Sequence, residues 1–190
     1  MYMDNKNHND HNKQCSSMSA SELDHKTDYC LTNLKILAKI KVGDKLCFDD
    51  TLQHFSLDEW SYTQPLTRWW SSEGRKSTIK SLDEFIASVF LTIDNIYSNE
   101  VSEVYNGVEN TYYSRMATSN HVFKEENTNL LLSFVTELRN AISGINNLKQ
   151  TYNTDVGTVS ALDIIIEKMN VRVKKIQGIL QVQSHRQDEG

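Results

Sequence analysis

"VSALDIIIEKMNVRVKKIQGIL", residues 159–180, sets Val159, Leu162, Ile166, Met169, Val173, Ile176 and Leu180 at alternating spacings of three and four. Apolar residues at that spacing line one side of a helix, and a strict heptad over three repeats predicts a seam packed against another helix. The same period recurs upstream in Ile79, Leu82, Ile86, Val89, Ile93 and Ile96, a stripe widened by Phe85, Phe90 and Tyr97. It recurs again in Leu131, Val135, Leu138, Ile142 and Ile145, flanked by Phe134 and Leu148. Only the period is shared, so the three segments are not an internal repeat. "YNTD" followed by Gly157 breaks the last two segments into an antiparallel hairpin. The expected fold is mainly α, an antiparallel bundle of three to four helices whose seams could be closed within the chain or between chains.

Ahead of the bundle the period changes. "DYCLTNLKILAKI", Asp28 to Ile40, predicts a helix with Thr27 as its N-cap. Leu46 and Phe48, a turn at Asp49-Asp50, and Leu52 to Phe55 predict a short β-hairpin. Ser56 and Glu59 have the spacing of a capping box, which would start a helix near Trp60. Pro65 suits the first turn of a further helix, ended by Gly74, with Ser77 capping the next. The stretch from 98 to 124 is poorly periodic and reads as a connection, with a helical turn around Val101, Val104 and Tyr105. The division is a polar arm over 1–22, a small α+β cap over 23–76, the helical bundle over 77–183 and a polar tail over 184–190. The arm has little to bury and is expected to order only in an assembly.

The formal charge of −5 lacks the basic footprint of a general nucleic-acid binder. No apolar run approaches the roughly 18–20 residues of a membrane span. The N-terminus "MYMDNKNHNDHNKQ" has no apolar core of a secretory signal. Cys15, Cys30 and Cys47 are odd in number and lack CxxC spacing, which fits a reducing compartment better than a disulfide framework.

Catalytic motifs are missing: there is no GxSxG, HExxH, P-loop or GxGxxG. Cys47 sits between Leu46 and Phe48 as a small hydrophobe, and the pairs Asp49-Asp50 and Asp58-Glu59 fall at turns and caps, where acids serve the backbone. His8 and His11 lie near Asp4, Asp10 and Cys15, but nothing beneath them would hold a metal geometry. The reading therefore assigns no catalytic residue, cofactor or metal.

Two clusters are candidates for a partner surface. In "RWWSSEGRKSTIK", Trp69 or Trp70 could stack a base while Arg68, Arg75, Lys76 and Lys80 meet phosphates. Adjacent tryptophans on a helix cannot share a face, however, so one would enter the core and the other fill a partner pocket. Residues 41–80 hold six basic and six acidic side chains, which leaves no net charge to draw nucleic acid. The structural reading is favoured. "KMNVRVKK", Lys168 to Lys175, reads first as a solvated helix face and second as a surface for an acidic partner.

The order "LKILAKIKVGDKLCFDD", then "RWWSSEGRKSTIKSLDEFI", resembles blocks in uncharacterised proteins of the large double-stranded DNA viruses of algae and amoebae. The resemblance covers roughly residues 31–90. Some proteins of that kind are small minor-capsid components that underlie or cement the shell. It implies a virus-encoded structural protein found in the virion, and in host cytoplasm during assembly, with other capsid proteins or copies of itself as partners. The expected function is thus non-enzymatic: bridging capsomers through helix pairing and the N-terminal arm, with Trp69, Trp70, Arg68, Arg75 and the seam residues Val159 to Leu180 as contact candidates. The alternative is a virus-encoded nucleic-acid-binding or regulatory protein using Arg68 to Lys80.

Overall fold

A computed structural model describes residues 20–49, 54–57, 72–106 and 124–188. Its elements in chain order are α1 (Ala20–Ala38), β1 (Leu46–Asp49), β2 (His54–Leu57), α2 (Ser72–Asn106), α3 (Glu125–Thr151) and α4 (Val156–Asp188). The helix expected near Trp60, the turn at Pro65, Arg68, Trp69, Trp70 and nearly all of the N-terminal arm lie outside the described residues.

The four helices pack as a square. α1 lies against α2 and α3, α4 lies against the same two, and α2 meets α3 only across the diagonal. Leu46 shares a small cavity with Ile79, Leu148, Tyr152 and Leu162, which puts the start of α2, the end of α3 and the start of α4 at one end. At the opposite end the Asn127 amide donates to the Glu100 carboxylate, joining the close of α2 to the opening of α3. Helices consecutive in sequence therefore alternate in direction. Spatial neighbours do not all do so. Gly144 lies under Leu37, Asn147 Nδ2 donates to the Ile40 carbonyl at 2.9 Å, and the Gly43 amide donates to Thr151 Oγ1 at 2.7 Å. These contacts advance together along both segments, so α1 and α3 run parallel.

The core follows the apolar stripes. Leu82, Ile86, Val89, Ile93 and Ile96 of α2 are all buried, as are Leu131, Phe134, Val135, Leu138 and Ile145 of α3. In α4 the register differs from the strict heptad. The buried positions are Thr158, Leu162, Ile165, Met169, Val173 and Ile176, while Val159, Ile166 and Leu180 are only half-buried. The buried spacings of four, three, four, four and three follow the 3.6-residue turn of a straight helix rather than a 3.5-residue supercoil seam. α4 is gripped by two helices, so its inward stripe is broader than a two-helix seam and centres on Met169.

Several expected boundaries move. The return strand runs His54–Leu57 rather than Leu52 to Phe55, so that Ser56 pairs with Cys47 instead of capping a helix. α4 continues to Asp188, past the expected end of the bundle at 183. Thr27 is inside α1 and buried, its Oγ1 donating to the Leu23 carbonyl at 2.7 Å, so it is not an N-cap. Leu23 packs against the core and gives the helix an apolar reason to begin about two turns earlier, at Ala20. Gly74 and Ser77 do not separate two helices, because α2 runs unbroken from Ser72. A helical glycine costs only about 1 kcal/mol, less than the stripe beyond it returns. The turn expected at Val101 to Tyr105 is likewise the last part of α2. α1, grouped with the cap in the sequence reading, lies lengthwise against α3 as a bundle helix.

Between α1 and the first strand, "KVGD" turns the chain. The Lys41 amide donates to Asp44 Oδ2 at 2.8 Å, and Gly43 adopts φ 96°, a left-handed conformation that glycine takes without steric cost. β1 and β2 pair antiparallel with Leu46 opposite Leu57 and Phe48 opposite Phe55. β1 rests on α2 and β2 on α1. The α3–α4 hairpin closes over residues 152–155, where Asp155 Oδ1 accepts the Thr158 amide at 3.1 Å and so caps α4.

Candidate functional site

The outward side of the α2–α4 pair is indented. A cleft of about 480 Å³ lies between Ile79, Lys80 and Asp83 of α2 and Ala161, Ile164, Ile165 and Lys168 of α4, closed at one end by Asp155, Gly157 and Thr158. Its apolar walls arise because two stripes on α4 diverge. Ile165 turns into the core, while its neighbour Ile164 is left 54% exposed. Two turns of α4 beyond Ile164, past Lys168, Val171 is 61% exposed. These residues fall outside the heptad positions, and the signal for them was available: apolar residues at 164 and 171 mark a second stripe opposite the first.

Charged groups brace the cleft. Lys168 Nζ meets Asp83 Oδ1 at 2.8 Å across the two helices. The Arg172 guanidinium grips Asp94 with both nitrogens, at 2.7 and 3.3 Å, and lies 4.9 Å from the centre of the Phe90 ring. On the other flank of α4, Lys149 meets Asp163 at 2.6 Å. Two cations of the Lys168–Lys175 cluster are thus engaged within the chain. Asp155 is occupied as a helix cap. The arrangement can receive apolar side chains, and its acids and bases serve as braces.

The seam residues sort into two groups. Leu162, Met169, Val173 and Ile176 are buried within a single copy of the chain, which leaves them no surface to offer a partner. Val159, Ile166 and Leu180 flank the same core, half-covered. Trp69, Trp70 and Arg68 lie outside the described residues. Arg75 falls in the first turns of α2, and its side chain is outside the description. Cys30 is buried, its sulfur 3.6 Å from Thr92 Oγ1, and burial pushes its thiol above the ordinary value against a smaller lowering by hydroxyl hydrogen bonds. No group of three or more His, Cys, Asp and Glu among the described residues could hold a metal ion, and none of the described helices is long and apolar enough to cross a membrane. No protein-family model matches the chain, nor does any curated protein or solved structure.

Proposed function

We propose that this chain is a non-enzymatic structural protein that acts by assembly, most concretely as a minor capsid protein of a large DNA virus that bridges or cements capsomers. The observation that carries the reading is the exposed apolar pair Ile164 and Val171 beside the α2–α4 cleft. Apolar groups gathered beside a cleft favour being covered by another surface. The resemblance over residues 31–90 supplies the viral setting, with the virion as the place of action and capsid proteins or further copies of the chain as partners. On this reading the hairpin of the α+β cap and residues 1–22 are additional contact elements around the bundle.

The test is to isolate intact particles, wash them in high salt and quantify the chain against the major capsid protein by mass spectrometry. A fixed stoichiometry is expected. Loss of the chain in the wash, or no chain in the particle, defeats the capsid role. The alternative is nucleic-acid binding through Arg68 to Lys80, of which Lys80 has an exposed side chain, 4.0 Å from Glu84. It would show as salt-sensitive binding of the isolated protein to single strands.

A further inference from the structure

We infer that the α2–α4 face is the contact between two copies of this chain, related by a two-fold axis that runs along the helices. The inference rests on the assembly reading and names its surface. On α2, Asp83, Phe90 and Asp94 all reach α4, which fixes the outward ridge next to it as Asp83, Ala87, Phe90 and Asp94. Ala87 is exposed and is the small residue in the middle of that ridge. On α4 the matching ridge is Ile164, Lys168, Val171 and Lys175, at spacings of four, three and four. Val171 is the knob and Ala87 the hole.

Charge selects the symmetry. Beyond Lys80, which stands one turn before Asp83 and 4.0 Å from Glu84, the α2 ridge carries two acids, and the α4 ridge carries two lysines with Arg172 beside them. A two-fold axis along the helices sets each α2 ridge against the partner copy's α4 ridge. Each aspartate then stands between its own base and that of the other copy. Lys175, which makes no ion pair among the described residues, comes opposite an Asp94. An axis across the helices would instead oppose acid to acid and base to base, which like-charge repulsion disfavours. Two helices side by side over about 25 Å give a face of roughly 500 Å² per copy, against the ~800 Å² per partner of a standard interface. The dimer should therefore dissociate on dilution.

Sedimentation of the full-length chain over a concentration series reads the association, and V171E should hold it monomeric with an unchanged melting curve. The symmetry is read from A87C and V171C made in separate chains. Mixed and mildly oxidised, they should give the 87–171 disulfide between chains, mapped by mass spectrometry, with little 171–171 product from V171C alone. A chain monomeric at every concentration, a V171E variant that still dimerises, or a dominant 171–171 product overturns the inference. Self-association is measured on isolated protein and the capsid role on particles, so the two fail separately.

Discussion

The carbonyl of Leu37 occupies the space that a β-carbon on Gly144 would need, and the Ala38 Cα lies 3.3 Å from the same point. The parallel pair α1 and α3 crosses here backbone to backbone, with Ala141 fully buried one turn before the glycine. The approach lets Asn147 reach the Ile40 carbonyl and Thr151 reach the Gly43 amide just beyond it. Both bonds satisfy backbone groups of the turn that follows α1.

Gly144→Ala is therefore expected to destabilise the fold, against the usual gain of about 1 kcal/mol for alanine over glycine in a helix. The obstacle is backbone on both sides, so the helices must separate, and overpacking of this kind costs about 1–3 kcal/mol or more. Urea denaturation of Gly144→Ala beside Gly178→Ala makes the comparison internal, because a β-carbon at Gly178 meets nothing within 4 Å. Equal stability of the two variants would contradict the close crossing.

Much of this architecture was legible in the sequence, and the parts that were not share a cause. The α2 stripe from Leu82 to Ile96 could be read directly, because Phe85 and Phe90 flank it on the core side and only Leu91 stands clear of it. The crossing at Gly144 was not read. An isolated glycine in a strong helical period signals a close backbone approach, but its partner, the end of α1, is more than a hundred residues away in sequence. Thr27 suits a cap and a helix interior alike. What decides between them is whether Leu23 finds a core to join, a tertiary fact. The cleft depends on Ile164 pointing outward, and its neighbours in sequence do not dictate that.

Arg172 and Asp94 should show a measurable coupling. The Arg172 side chain is only 16% exposed, is held by two hydrogen bonds and lies over Phe90, whereas Lys80 and Glu84 are 79% and 66% exposed. A double-mutant cycle with Arg172→Met and Asp94→Asn is expected to give about 1 kcal/mol, and the Lys80–Glu84 cycle close to zero. Arg172→Lys should not recover the full value, since an ammonium cannot reproduce the two-pronged grip. A null result for the Arg172 cycle would mean the brace contributes nothing to holding α2 on α4.

Cys30 supplies a pH dependence with a defined sign. Burial raises its thiol above the ordinary 9.0, with the hydrogen bond to Thr92 opposing. The fold favours the neutral thiol, so its contribution is complete below the unfolded value and is lost as pH climbs through that value to the folded one. Burial raises the Tyr29 phenol above its ordinary 10.0 in the same sense. Denaturation at neutral and alkaline pH should show wild type losing stability on alkaline titration, and Cys30→Val losing less. Thr92 still donates to the Ser88 carbonyl at 3.0 Å in that variant, so no hydroxyl is orphaned. Identical alkaline slopes would remove Cys30 as a source.

The three consecutive isoleucines 164, 165 and 166 decide the register of α4. A heptad seam places Ile166 inward, whereas the square bundle places Ile165 there at 2% exposure, leaves Ile166 half-covered and turns Ile164 outward. Alanine at each position separates the two arrangements by rank. Ile165→Ala should cost about 2–5 kcal/mol, as expected when a buried isoleucine is emptied. Ile166→Ala should fall between its neighbours, and Ile164→Ala should stay within about 0.5 kcal/mol, as is usual for an exposed site. Aspartate sharpens the scale, because an unpaired carboxylate at 165 would be stranded among Leu162, Met169 and the α2 core, while at 164 it would remain in water. Thermal melts of the five variants give the order directly. If Ile166 proves costlier than Ile165, the helix is rotated toward the heptad seam. Ile164 would then leave the cleft, and the surface assigned to the second copy would go with it.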